Sequence, residues 1–569
     1  MIARLSVVLG LLLVILAAPF VLRPAGQRSD LAGDQSERLV IITPHNESIR
    51  SEFGRAFVAH MENDFDRKVW IDWRQPGGTS EIARLIRSEY AARFEGLWRE
   101  FTDLPFGRAA LSGFMDGKIK ATSEPLDYSA IDPSDADAIR SAARQAYLES
   151  DLGIGLDLFW GGGAYDFSKQ ASAGALVAVD GTGEFGPAII AREKPEWFSD
   201  GIMPAEVGGE PFRDSDFRWI GTVLSAFGIC YNEDLTTRLG ISDGLSQWSD
   251  LADPRLLGQV ALADPSKSGS TTKAYEMLVQ QQIQKTLRGL AGSPQPVEEL
   301  EASAIATGWD HAMRLILKIS GNGRYYTDSS TRVPLDVARG DAAAGMCIDF
   351  YGRTYNELFR DDQGNSRIKF VMPERGTSIG VDPIGMLRGA NNPELAQRFI
   401  EFVLSVDGQK IWNYRPGTPG GPTRFALRRP PVRKDLYQAP HLAHLSDRDL
   451  DPYEATADFT YRADWTGPLF SALRFVIRCT SVDVHEEQRA AWTAVVEAGL
   501  PAEALAAYED ITPISYEAVV REIEPILRGR DKVAEVALAR DLSETFREHY
   551  REVIRLAEAA PAPPSFSQR

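Results

Sequence analysis

From Arg38 onward, short apolar runs alternate with stretches in which apolar residues return every three or four positions. "RLVIITP" reads as a buried strand, and Ile49, Phe53, Phe57 and His60 follow at helical spacing. "KVWIDWRQ" is a second strand. "GGTSEIARLIRSEY" is a glycine turn, a Thr79/Ser80 cap and a helix with Ile82, Leu85 and Ile86 on one face. Strands separated by helices predict parallel β-α-β units. Residues 91–150 interrupt this rhythm. They read as an insertion on one edge, loop-rich and aromatic at first and helical over "DADAIRSAARQAYLES". The pattern resumes with "GIGLDLFWGGG", "FRWIGTVLSAFGICYN", "GQVALADPS", a helix from Thr271 and another over "GWDHAMRLILKISGN". "YYTDSS" reads as a loop, "DVARGDAAAGMCIDF" as a helix and then a strand, and "KFVMPERGTSIGVDPIGMLRG" as two strands. "NPELAQRFIEFVLSVDGQKIWN" gives two helices divided at Asp407 and Gly408. From about 437 the chain is mostly helical and charged, and the Pro-rich tail over 556–569 is expected to be disordered.

At 569 residues the chain is too long for one core, so two or three domains are expected. Its net charge of −18, with no long basic run, argues against nucleic acid as a partner. The first 26 residues carry one Arg and then an apolar run from Leu5 to Leu22, which predicts a secretory signal or an uncleaved membrane tether. No Cys follows that run, which argues against a lipid anchor, and the body is expected to be exported and soluble. Cys230, Cys347 and Cys479 lie far apart, without a CxxC pair, and Cys230 and Cys347 read as buried thiols.

Candidate chemistry gathers at strand ends. His45 and Asn46 follow the first strand, a ligand-facing position in open α/β sheets. Gly77 and Gly78 allow close backbone approach, Thr79 and Ser80 offer hydroxyls at a helix start, and Glu81 reads as a cap. Phe159, Trp160 and Gly161 end another strand, with Tyr165 nearby. In "ADPSKSGSTTKAYEM", Ser268, Gly269, Ser270 and Thr271 open a helix after a strand. They either cap free backbone N–H groups or hold an anion; the residues alone leave both readings open. The turn is not a Walker loop, and GxSxG, HExxH and a complete SxxK set are missing. "VDVHEEQRAAW" around His485 reads as a solvated helix face.

The ordered segments "LVIITPHNES", "GGTSEIARL", "LDLFWGGG", "GICYNEDL", "WSDLADPRLLGQVALADPSKSGSTTKAYEM", "DVARGDAAAGMCIDFYGR" and "DPIGMLRGANNPELAQRFIEFVLSVDGQKIW" resemble the extracellular solute-binding proteins of ABC importers. The branch is that of ferric-ion, phosphonate, sugar-phosphate, thiamine and polyamine receptors. The likeness covers about 38–433, less the insertion. It implies an α/β, two-lobe periplasmic-binding-protein fold of type II, with ligand in the cleft and closure about a hinge. The first lobe would hold mainly 38–222 and 376–436, and the second mainly 223–375. Residues 437–555 would be a helical extension packing on the lobes.

The resemblance also implies roles. His45 matches the His that ferric receptors use as a metal ligand. Ser268, Gly269, Ser270 and Thr271 match their anion-holding turn. Where ferric receptors carry adjacent Tyr residues, this chain has Phe350 and then Tyr351. Asp349 is the alternative oxygen donor, so a ferric site would be His45, Tyr351 and Asp349. Arg353 suits a phosphate or carboxylate. Asn46, Gly78, Thr79, Trp160 and Gly161 complete the expected cleft. The implied function is capture of Fe(III) with a synergistic anion, or of a small phosphate- or carboxylate-bearing solute. The expected receptor is a periplasmic monomer without a resident cofactor, delivering to an inner-membrane permease. The alternatives are a receptor of the same fold serving a sensor kinase and an exported hydrolase.

Overall fold

The computed structural model describes residues 36–122, 126–529 and 531–561. The N-terminal apolar run and residues 562–569 of the tail lie outside them. Twelve strands are described: β1 (Glu37–Ile42), β2 (Val69–Arg74), β3 (Leu158–Trp160), β4 (Leu176–Val177), β5 (Glu206–Val207), β6 (Glu210–Pro211), β7 (Ile220–Asn232), β8 (Val260–Ala263), β9 (Gly323–Thr327), β10 (Ala344–Ile348), β11 (Ile368–Val371) and β12 (Ile379–Leu387). Ten of them join in the order β2-β1-β3-β12-β7-β10-β8-β9, with β4 on β12 and β11 on β7; β5 and β6 form a separate hairpin.

The long strand β7 divides the molecule. Ile220 to Ala226 pair with β12, whereas Phe227 to Asn232 pair with β10 and β11. Its thirteen residues are almost continuously buried, as a strand covered on both faces must be. Each side of the switch has a parallel core: β1 pairs with β2 and β3, and β8 pairs with β9 and β10. The architecture is the two-lobe α/β arrangement expected from the sequence, with a helical C-terminal region.

Helix α1 (Glu47–Phe65) buries Ile49, Phe53, Phe57 and Met61 against lobe 1, and the Asn46 side chain caps it by accepting from the Ile49 N–H. His60, expected on that face, is half-buried: it stacks on Phe402 at 5.0 Å and also pairs with Asp64 at 2.6 Å. Helix α2 (Thr79–Phe101) buries Ile82, Ile86, Tyr90, Phe94 and Trp98, a regular four-residue period. The aromatic start of the expected insertion is therefore the second half of this helix. Three further departures are local. "RYYT" is strand β9 and not loop, with the Tyr325 hydroxyl bonded to Asp336 and the Tyr326 hydroxyl to Ser320. The helices after β12 divide at Ser405, which caps the second by accepting from the Gly408 N–H. The final helix runs to Ala559, past the expected start of the tail.

Lobe 1 has its own apolar core, drawn from Leu39 to Val432. The lobe 2 core is drawn from Phe227 to Ile348 together with Phe459 to Ala557. The extension is thus built into lobe 2. Trp309 donates to the Ile514 carbonyl, Trp492 donates to Asn322 at 2.8 Å, and Tyr508 donates to the Leu317 carbonyl at 2.8 Å. His485 packs edge-on against Tyr326 at 5.1 Å, not on a solvated face. All three cysteines are buried and unpaired.

Candidate functional site

The ends of β1 and β3 and the middle of β12 bring His45, Trp160 and Asp382 together. The His45 Nε2 lies 3.3 Å from Asp382 Oδ2, and Arg429 holds the same oxygen at 2.5 Å. Burial alone would raise the Asp382 carboxyl, but the Arg429 charge and hydrogen bonds from His45 and Arg429 bring it down to about 2. Burial lowers the His45 pKa, against the pull of Asp382. A neutral imidazole beside an ionised carboxylate donates through Nε2, which leaves a lone pair on Nδ1. That Nδ1 is buried without a protein partner. The ring is fixed edge-on by Trp160, with centroids 4.6 Å apart, and by Trp412 at 5.9 Å. Gly161 lies behind it at φ +92°, where a Cβ would stand 2.6 Å from the imidazole.

Trp160 is fully buried and donates to Thr222, so it backs His45 instead of lining the cleft. From lobe 2, Tyr351 reaches across to the Asn46 side chain, and burial pushes its phenol up. Phe350, where ferric receptors carry a Tyr, lies under the Arg429 guanidinium at 4.5 Å. Asp349 and Arg353 are partly engaged, with Asp349 Oδ1 and Arg353 Nε buried without a hydrogen-bond partner. They pair with each other at 2.5 Å on helix α6 (Asp349–Leu358), and Arg353 also faces Asp447 of the extension. Among the described residues no three His, Cys, Asp or Glu side chains are grouped to hold a metal.

The second half of the site is a meeting of helix starts. Helix α2 begins at Thr79, and the Glu81 carboxylate accepts from the Gly78 N–H at 2.9 Å, the capping role expected. Helix α4 (Gly269–Gly289) begins in lobe 2, where Ser268 Oγ accepts from the Thr271 N–H. Thr272 is consumed locally, donating to the Pro265 and Ser268 carbonyls. Lys267 pairs with Asp328 at 2.5 Å on the surface. The two turns face each other closely: a Cβ on Gly78 would stand 3.7 Å from the Lys267 carbonyl. Thr79 in turn packs against Gly162, where a Cβ would stand 2.5 Å from its methyl group. Asp166, on helix α3 (Ala164–Ala173), lies near Gly269; burial raises its carboxyl against the charges of Arg474 and Lys169.

Residues 202–436 match the family described as bacterial extracellular solute-binding proteins. The resemblance read from the sequence holds over these residues. The chain is 24% identical over 188 residues to an uncharacterized Haemophilus influenzae protein, covering 33% of this chain and 45% of that one. It is 22% identical over 192 residues to the phosphoglycerate transport regulatory protein PgtC of Salmonella typhimurium, covering 34% and 40%. The chain thus spans less than half the length of these relatives. Among solved structures, the periplasmic binding protein AfuA of Actinobacillus pleuropneumoniae, with fructose-6-phosphate bound, aligns at 19% identity. It covers 79% of this chain and 99% of that one, with a TM-score of 0.44.

Within the solute-binding match lie Ser268, Gly269, Ser270, Thr271, Asp349, Tyr351 and Arg353, together with Asp382 and Arg429, which sequence reasoning missed. Before it lie His45, Asn46, Gly78, Thr79, Trp160 and Gly161. Arg474, also missed, comes after it, from the extension. Asp382 carries a weak signal, as a lone acid in the apolar strand "IGVDPIGML". Arg429, in "LRRPP", carries none.

Proposed function

We propose that this chain is the periplasmic receptor of an ABC importer. Its ligand is a small solute bearing a phosphate or carboxylate and at least one hydroxyl. The supporting observation is the meeting of two helix starts from opposite lobes. One Arg474 nitrogen lies 3.1 Å from both Ser80 Oγ at the start of α2 and the Ser266 carbonyl just before α4. Free N–H groups and helix dipoles at such starts favour an anion, and Thr79, Ser270 and Thr271 add hydroxyls. His45 Nδ1, a buried acceptor, suits a ligand hydroxyl. Capture would close the lobes about the β7–β12 crossing, with no bond made or broken. The closed form would dock on an inner-membrane permease.

This reading is favoured over Fe(III) as cargo. Phe350 removes one phenolate, and Asp349 Oδ2 pairs with Arg353. The likeness to PgtC, a phosphoglycerate transport regulatory protein, supports a second reading, in which the loaded receptor signals to a sensor kinase.

Thermal melting of the exported body tests the ligand class. A solute at about 100 times its Kd adds roughly 2.7 kcal/mol, which moves the melting point by a few degrees. Phosphoglycerates and sugar phosphates are expected to give the shift, and Fe(III) with citrate is not. A shift with Fe(III) that His45→Ala and Tyr351→Phe each abolish would overturn the organic-anion reading.

A further inference from the structure

The segment from Phe459 to Ile477, outside the solute-binding match, touches both lobes at two separate places. Near the crossing strands, the Tyr461 N–H donates to the Gly208 carbonyl of the β5–β6 hairpin at 2.7 Å. The fit is close: a Cβ on Gly209, at φ +81°, would stand 1.9 Å from the Tyr461 carbonyl oxygen. The hydroxyls of Tyr461 and Thr466 both donate to Glu276 of α4, at 3.0 and 2.6 Å. Lys273 joins the two sides, pairing with Glu210 of the hairpin at 2.8 Å and with Glu276 at 3.0 Å. Its ammonium also sits 3.6 Å over the Tyr461 ring.

At the mouth of the cleft, helix α7 (Phe470–Ile477) makes the second contact. Arg474 donates to the Pro265 and Ser266 carbonyls of lobe 2 and to Ser80 of lobe 1. Tyr165 of lobe 1 stacks on Phe470 at 4.5 Å, and its hydroxyl lies 3.4 Å from Ser471 Oγ. The two attachments differ in kind. Phe459, Tyr461, Trp465, Leu469, Leu473 and Val476 are buried in the lobe 2 core. The lobe 1 contacts at the mouth are the Ser80 hydroxyl, the Tyr165 ring with its long hydrogen bond, and the charge of Asp166 near Arg474.

We propose that Phe459–Ile477 is a strap fixed to lobe 2 that latches onto lobe 1 through Arg474 and Tyr165, holding the cleft closed before ligand arrives. Opening rotates lobe 2 away from lobe 1, so the strap travels with lobe 2. Of the strap's own contacts, those to Ser80 and Tyr165 at the mouth must break, while the hairpin contact near the crossing strands moves least. The latch lies over both helix starts of the cleft, so entry and release of solute require it to part.

Spin labels at Arg84→Cys on lobe 1 and Ser329→Cys on lobe 2, in the full exported chain without ligand, measure the distance between lobes. The native cysteines are buried, so the introduced pair takes the labels. The parent is expected to give one narrow, short distance. Arg474→Ala should raise the open population about tenfold, the change expected on losing hydrogen bonds worth a factor of ten together. The double variant Ser80→Ala with Tyr165→Ala alters only the lobe 1 side and should give the same longer distance. If Arg474→Ala fails to fold, the double variant decides. Unchanged distances in a folded double variant overturn the strap. No ligand enters the experiment, so its outcome is independent of whether the anion reading stands.

Discussion

Lobe 1 and lobe 2 close their cores differently. In lobe 1, β1, β2 and β3 are covered by α1, α2 and the helices after β12, and every buried apolar residue comes from before residue 433. In lobe 2, β8, β9 and β10 are covered by α4 and α5 (Val297–Gly321), but α5 needs a second layer. Trp309, Met313 and Leu317 belong to one apolar cluster with Trp492, Tyr508, Phe546 and Tyr550 of the extension. Gly321 shows how close this packing is, since a Cβ there would stand 2.5 Å from the Tyr508 hydroxyl. A receptor lobe of ordinary size completes its core from its own segment. Here the completing layer arrives after the matched family ends, so the extension is as much a part of lobe 2 as its own helices.

The strongest way to break this contrast is to end the chain at Asp458. The cut keeps Asp447 and Tyr453, which serve Arg428 and Val432. It removes half of the lobe 2 core and exposes a row of large apolar side chains on α5. Loss of that burial far exceeds the few kcal/mol by which a domain is stable. Hydrogen exchange should show β8, β9 and α5 unprotected while β1 to β3 keep their protection. Protected lobe 2 amides in the shortened chain would make the extension an add-on. A smaller cut at one residue sharpens the same point. Trp492→Ala in the extension and Trp98→Ala in lobe 1 each remove a fully buried indole, at a cost of about 3–5 kcal/mol. The exchange maps should differ: the first change loosens α5 and β9, the second loosens α2 and the insertion helices.

Charge separates the regions next. Glu52 on α1 is 1% exposed and accepts from Arg55 and from the backbone N–H groups of Thr423, Arg424 and Phe425. Burial opposes ionisation, but those donors bring the carboxyl down to about 2. A lowered folded value means the stabilisation is present above the unfolded pKa of about 4.3 and is lost as pH falls towards 2. Glu52→Gln should therefore cost on the order of 2–3 kcal/mol at pH 7, with the gap from wild type closing on acidification. Under the strap the sign is opposite. Burial would lower the Lys273 pKa, yet Glu210 and Glu276 hold it raised. Its contribution is complete below the unfolded value of about 10.4 and is lost only as pH rises through the folded one. Melting between pH 7 and pH 9 should accordingly leave both contributions in place, whereas acidification towards pH 3 weakens lobe 1 through Glu52.

What the sequence made legible follows from how local each signal is. The helix start is written in the consecutive Ser268, Gly269, Ser270 and Thr271, with the cap at Ser268 and the helix opening two residues before the expected Thr271. The strand β7 is a continuous apolar run, and its burial follows. The period of α2 was equally local. It was obscured because Tyr90, Phe94 and Trp98 are aromatic, and a run of aromatics reads as an insertion edge when it is the same four-residue stripe continued. Contacts across long stretches of chain left no such trace. His45 and Asp382 are 337 residues apart, and Arg474 is 394 from Ser80. Such pairs form because two lobes and a strap fold together, and no window of sequence contains both partners. The resemblance to a family named His45 and the Ser268 turn, but not the Asp382 carboxylate and the Arg429 guanidinium that set the imidazole.

The smallest expected effect bears on the turn that faces lobe 1. Lys267 lies beside the Ser268 cap, and a basic side chain there invites a role in holding an anion. Its ammonium instead pairs with Asp328, and the two side chains are 55% and 81% exposed. An ion pair that open to water contributes roughly 0–1 kcal/mol. Lys267→Ala should lower stability by no more than that, and it should leave solute affinity within about twofold if the backbone N–H groups and hydroxyls of the turn make the contact. Ser268→Ala should cost about 1 kcal/mol through the lost cap and weaken binding by misplacing the same N–H groups. Titration calorimetry on the two variants separates a charge-led site from a helix-start site. A larger affinity loss for Lys267→Ala than for Ser268→Ala would move the anion out of the cleft and onto the exposed rim of lobe 2.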